Sequence, residues 1–138
     1  MIPPRSPYGL IQEDLWPNEW LVLVSCIMLN CTTRKQVESV LPTFMERWPE
    51  PADLLRKQQG LVDVIRPLGF ANRRADALVK MTRHYLTGPW KHARELPGIG
   101  VYGARCWEML CRNIIGDEPP KDHALVRYYH WMKTHEQR

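Results

Sequence analysis

Two short segments of the chain carry residue types that could do chemistry. The first is Gly98-Ile99-Gly100-Val101-Tyr102-Gly103, which places three glycines directly between two helical patterns. Glycine is unfavourable beside a helix unless the backbone needs positive φ or a close approach. One reading is a plain helix-turn-helix loop. The other is that Gly98 and Gly100 present successive backbone N–H groups at the start of the following helix, a ready anion site, with Ile99 plugged into the core to fix the turn. The second segment is Asp122, twenty residues beyond Tyr102, behind Pro119-Pro120-Lys121 and opening the last helical pattern. An Asp there caps the helix, and the positive end of the helix dipole keeps its carboxylate ionised. On the residues alone, the capping role accounts for most Asp residues at such a place.

These segments must be held by helices. The twelve prolines cut the chain into short pieces, and between them apolar residues recur at three and four rather than two, which predicts an all-α fold. Pro17 suits a first turn before a helix that is apolar nearly all round, Trp20 to Leu29, as expected of a buried centre. Thr33 is the expected N-cap of the next helix, which turns Val37, Val40, Leu41 and Phe44 to one side with Pro42 kinking it. Short helices follow near Ala52 to Lys57 and Gly60 to Arg66, then a break at Pro67-Leu68-Gly69. A longer amphipathic helix, Ala71 to Leu86, ends at Gly88-Pro89 and carries Leu78, Met81 and Tyr85 inward. After the glycine segment comes a helix with Ala104, Trp107, Cys111 and Ile114 on one side, and the last helix should bury Leu125, Tyr128, Tyr129 and Met132.

A length of 138 residues, 44% hydrophobic and 25% charged, is that of one domain covering residues 1–138, with a core large enough to need no staples. The longest apolar run, Leu21 to Leu29, is broken by Ser25 and falls short of the roughly 20 residues a membrane span requires. Met1 to Pro7 has one Arg, three prolines and no apolar h-region, so an intracellular, reducing compartment and free thiols are expected. The net charge of +4 is local: Ala71 to Arg94 holds six basic residues against Asp76 alone, whereas the flanks are near balance. Such a surplus suits a phosphate backbone or a solvated helix face. The four cysteines lack the C-x-x-C spacing of zinc sites and the five histidines are scattered, so neither a structural metal nor any other cofactor is expected.

The order helix, Leu96-Pro97-Gly98-Ile99-Gly100, helix, then Asp122, resembles the helix-hairpin-helix DNA glycosylase superfamily. Within it, Leu10-Ile11-Gln12-Glu13, Met28-Leu29-Asn30 with Thr32, Pro67-Leu68-Gly69, Tyr85-Leu86-Thr87, Trp90-Lys91 and Asp122-His123 resemble the mismatch-specific thymine and uracil glycosylases. The resemblance implies two small helical lobes with the active site in the cleft between them. It implies excision of thymine or uracil opposite guanine from double-stranded DNA, by a monomer acting in the nucleus. Carried onto this chain, Asp122 is the catalytic carboxylate, Gln12 and Tyr102 contact the flipped pyrimidine, and Leu68 is the wedge that fills the gap. Gly98, Gly100, Gly103, Arg34 and Arg73 then contact the DNA backbone. Strand-cleaving relatives carry a lysine where this chain has Tyr102, and a phenol with an ordinary pKa near ~10 is no amine nucleophile, so base removal without lyase chemistry is implied. No cysteine follows Cys111, so the four-cysteine iron–sulfur cluster of many relatives should not form. The family's usual Arg after Leu-Asn is here Cys31, with Arg34 one turn on. The other readings of the residues are a non-catalytic hairpin module that only binds DNA, and a glycosylase of the same fold for another base.

Overall fold

The computed structural model describes residues 9–116, 118–120 and 123–135, apart from the side chains of 123, 124 and 135. Its regular elements are all helical: α1 (Ile11–Leu15), α2 (Glu19–Leu29), α3 (Arg34–Arg47), α4 (Pro51–Arg56), α5 (Leu61–Ile65), α6 (Ala71–Thr87), α7 (Val101–Cys111) and α8 (His123–His135). Short 3₁₀ turns at Arg66–Leu68 and Ala93–Glu95 precede α6 and the hairpin. None of these helices is long and apolar enough to cross a membrane.

The caps explain the boundaries. Asn18, rather than Pro17, starts α2, because its Oδ1 accepts the Leu21 N–H at 3.0 Å. Thr33 caps α3 as predicted and forms a reciprocal box with Gln36. The hairpin helix begins earlier than its apolar side, at Val101, with Gly100 as N-cap.

Helix α2 is the axis of the molecule. Trp20 to Met28 are all buried, and α2 packs against α1, α3, α6 and α7. On one side α3 to α6 form a cluster around Phe44, whose ring lies 5.8 Å from Trp20 and 5.2 Å from Trp48. Fully burying a side chain such as Phe44 contributes about 2 kcal/mol. On the other side lie α1, α7 and α8, where Tyr129 donates to the Gly116 carbonyl at 3.4 Å beneath the Arg105 guanidinium. Leu125, Tyr128, Tyr129 and Met132 are buried, as the periodicity of α8 predicts.

The two sides are tied at the start of α2 by Glu19. Its carboxylate accepts from the Tyr85 hydroxyl at 3.1 Å and the Trp107 indole N–H at 2.8 Å, and pairs with Arg112 at 2.9 Å. Burial, with Glu19 alongside, pushes the Tyr85 phenol up to about 12 and the Cys111 thiol up to about 12.

Candidate functional site

At the other end of α2 the chain turns through Asn30 and Cys31, the latter at φ 60°, before α3 begins. Against this end sits the hairpin. Gly98 has φ +82°, a conformation that L side chains rarely adopt, and a Cβ there would come within 3.3 Å of both Ala77 on α6 and Ile27 on α2. Glycine is needed at 98 for both reasons. Gly103 answers only the second: a Cβ would lie 3.0 Å from Ile99 Cγ2 and 3.4 Å from Cys26 Cβ, so its absence lets α7 seat on α2. The face of Gly103 that a Cβ would occupy is thus interior, while its backbone N–H belongs to the first turn of α7. Gly100 is different again, with φ −88° and open space where a Cβ would be. Nothing described within the chain requires glycine there, whereas an approaching ligand would.

The first intrahelical bond of α7 is Ala104 N–H to Gly100 O at 2.9 Å, so the backbone N–H groups of its first turn are directed out past the hairpin. Val101 at this tip is 83% exposed. On the outer side of the tip is a recess of about 450 Å³ with His92, Arg94 and Arg105 on its walls. On the inner side is a smaller cavity of about 130 Å³ between the hairpin, Cys26, Asn30 and Tyr102.

Gln12 and Tyr102, ninety residues apart, meet here: Gln12 Nε2 donates to the Tyr102 hydroxyl at 2.5 Å and lies 4.0 Å from Cys26 Sγ. Gln12 is 2% exposed, held by α1 with Glu13, whose Oε2 accepts the Leu10 N–H at 2.7 Å. Burial, with Glu13 nearby, raises the Tyr128 phenol above its ordinary value, so it stays protonated beside α1. A buried amide next to a phenol offers both donors and acceptors to a planar polar edge. Asp122 lies outside the described residues.

The cationic and wedge expectations fare unequally. Leu68 is corrected: it is 3% exposed and packs in the core, so it is not available to fill a gap in a base stack. The 3₁₀ turn with Pro67 points it inward, and Gly69 at φ +80° then reverses the chain. The exposed apolar residue is the next one, Phe70, 69% exposed at φ 48°, with the Arg73 guanidinium 5.6 Å from its ring. Arg73 is exposed, one turn from the Ala77 that backs the hairpin. Arg34 is exposed and paired with Glu38 at 3.1 Å, and its helix is fastened to the Pro67 carbonyl by Gln36 at 3.2 Å.

Arg74 leaves the basic surplus altogether. It is buried, with Nε donating to Gly69 O at 2.9 Å and Nη1 to Ile27 O at 3.1 Å, and burial pulls its pKa down. The turn that exposes Phe70 is thereby pinned to the end of α2 beside the cavity. Sequence reasoning missed both Phe70 and Arg74. The signal for Arg74 was its place on the stripe of Leu78 and Met81, four and seven residues on.

Comparison with known proteins bears on the family and the fold. A profile of the HhH-GPD superfamily, base excision DNA repair proteins, matches residues 24–138. A methyl-CpG-binding domain protein 4-like protein of Arabidopsis thaliana is 31% identical over 96% of this chain and 30% of its own length. A thymine-DNA glycosylase of Aeropyrum pernix is 33% identical over 87% of this chain and 57% of its own, and a thymine/uracil-DNA glycosylase of Pyrobaculum aerophilum 33% identical over 78% and 50%. The chain thus spans from under a third to a little over half the length of these curated relatives. The solved structure of a thermostable thymine-DNA glycosylase superimposes with a TM-score of 0.67 at 19% identity, over 85% of this chain and 55% of that one, which shows the same fold.

Proposed function

The chain belongs to the HhH-GPD superfamily of base excision DNA repair proteins, and on that premise we propose that it is a monofunctional DNA glycosylase that flips thymine or uracil from opposite guanine and hydrolyses its N-glycosidic bond. The observation that carries this reading is the pairing of buried Gln12 with Tyr102 at the edge of a cavity walled by the hairpin. The names of the Aeropyrum and Pyrobaculum relatives support the choice of base.

In this reading the hairpin amides, Arg73 and Arg34 grip phosphates, and the Gln12 amide reads the Watson–Crick edge of the extruded pyrimidine. Phe70, not Leu68, occupies the vacated place in the stack, since unstacking costs a few kcal/mol that an apolar wedge partly offsets. Water adds to C1′ of the deoxyribose, the base leaves with the bonding electrons, and Asp122 stabilises the positive sugar and takes the proton. Tyr102 offers no amine for a Schiff base, so the strand remains intact.

The test is base release from duplexes carrying G·T, G·U, A·U and A·oxidised guanine pairs, with and without subsequent hot alkali. Release from G·T and G·U, with strand breaks only after alkali, is the expected result. Asp122→Asn should slow release at least about a hundredfold while duplex affinity and melting temperature hold. A fully active Asn variant, or breaks without alkali, contradicts the assignment.

A further inference from the structure

The cavity beside the hairpin has a side-chain wall on α2 that the proposed function leaves unassigned. Gly98, Gly100 and Gly103 contribute no side chains to it, so its width is set by the other lining residues, and from within α2 this is Cys26, with Asn30 just past the helix end. Cys26 is 4% exposed and not in a disulfide, with its Sγ 4.0 Å from the Gln12 amide nitrogen. We propose that Cys26 is the wall against which the 5-substituent of the flipped pyrimidine packs, and that it limits how large that substituent can be.

The inference rests on Gln12 as the reader of the pyrimidine edge. In thymine the C5 methyl is adjacent to the C4 carbonyl, an acceptor on that edge. A residue in contact with the amide that reads the edge is therefore within reach of whatever C5 carries. A thiol suits this place, being small, polarizable and only weakly hydrogen bonding, so it meets a methyl group or a hydrogen without leaving a polar group bare. The wall has little room to retreat, because a Cβ at Gly103 on α7 would already lie 3.4 Å from Cys26 Cβ and α2 is buried from Trp20 to Met28.

The experiment compares wild type, Cys26→Leu and Cys26→Ala in single-turnover release of uracil, thymine and 5-bromouracil opposite guanine, each with a melting curve. The added volume in Cys26→Leu should lower thymine release about tenfold relative to uracil, the scale on which an apolar pocket senses one methylene. Cys26→Ala should raise 5-bromouracil release severalfold relative to uracil, compared with the wild-type ratio. The Ala variant only removes an atom, so it decides the matter even where the Leu variant fails to fold. Unchanged ratios in an active Cys26→Ala protein overturn the wall assignment and leave the glycosylase reading standing. A wild type that releases none of the three bases overturns that reading, and the wall with it.

Discussion

The two ends of α2 each gather polar groups, yet they are finished differently. At the first end Glu19 takes hydrogen bonds or charge from Tyr85, Trp107 and Arg112, all supplied by the chain itself, and the cluster joins three helical segments. At the second end Gln12 and Tyr102 are bonded to each other beside a cavity, with Asn30, Val101 and Phe70 exposed around it. A carboxylate surrounded by its own donors is a fastening, whereas an amide at a cavity wall can exchange partners with a ligand. The difference lies in where the neighbouring groups point, since the half-buried Glu19 is ringed by its own partners while the more deeply buried Gln12 sits beside open space.

Breaking the fastening should have the largest effect on stability. Glu19→Ala removes the shared acceptor of three donors and should cost about 3 kcal/mol in denaturant unfolding, while base release per folded molecule stays constant. A fall in release beyond the loss of folded protein means the first end also serves the site.

The next effect belongs to the turn before α6. Phe70→Ala should slow release from a fully paired duplex about tenfold but barely affect a single-stranded substrate, with the melting temperature unchanged because the ring is exposed. Leu68→Ala should do the opposite, losing about 2–5 kcal/mol of stability with no dependence on substrate. If Leu68→Ala shows the substrate dependence and Phe70→Ala does not, the assignment of the wedge reverses.

The smallest effect is on alkaline stability, where two of the titrating groups, Cys111 and Tyr85, sit at the Glu19 end. Cys111 and Tyr85 have ordinary values of 9.0 and 10.0 and are each raised to about 12 in the fold. The folded state therefore holds these protons more tightly than the unfolded chain. Stability is fully present below pH 9 and is lost as pH rises towards 12. Melting temperature should decline across that window, less steeply in Cys111→Ala, and an identical decline in that variant removes the thiol from the account.

Most of the scaffold was legible because it depends on local rules. The Thr33 cap, the apolar faces of α3 and α8 and the stop at Gly88 follow from spacing alone. Gly98 was legible too, since positive φ and close approach are both reasons for glycine. Leu68 and Phe70 were not: one glycine reverses which of two neighbouring apolar residues faces water, and their composition is silent about that. Arg74 was counted with the solvent-facing cations because charge was summed along the chain, although its helical phase put it with Leu78 and Met81. The Glu19 cluster joins residues 66 and 88 positions away in the chain, and no local pattern reports such a meeting.

The contact between Gly98 and Ala77 has a mechanical consequence. At Gly98 the hairpin faces Ala77 of α6 and Ile27 of α2, and the space for a Cβ there is already tight at 3.3 Å on both sides. Ala77 thus works as a shim: its thickness sets how far the tip stands above the molecular surface and at what pitch Val101 and the first-turn amides are presented. A residue that never meets a ligand would in this way tune grip through height alone, and any enlargement at 77 would be read out at the tip as a change in standoff.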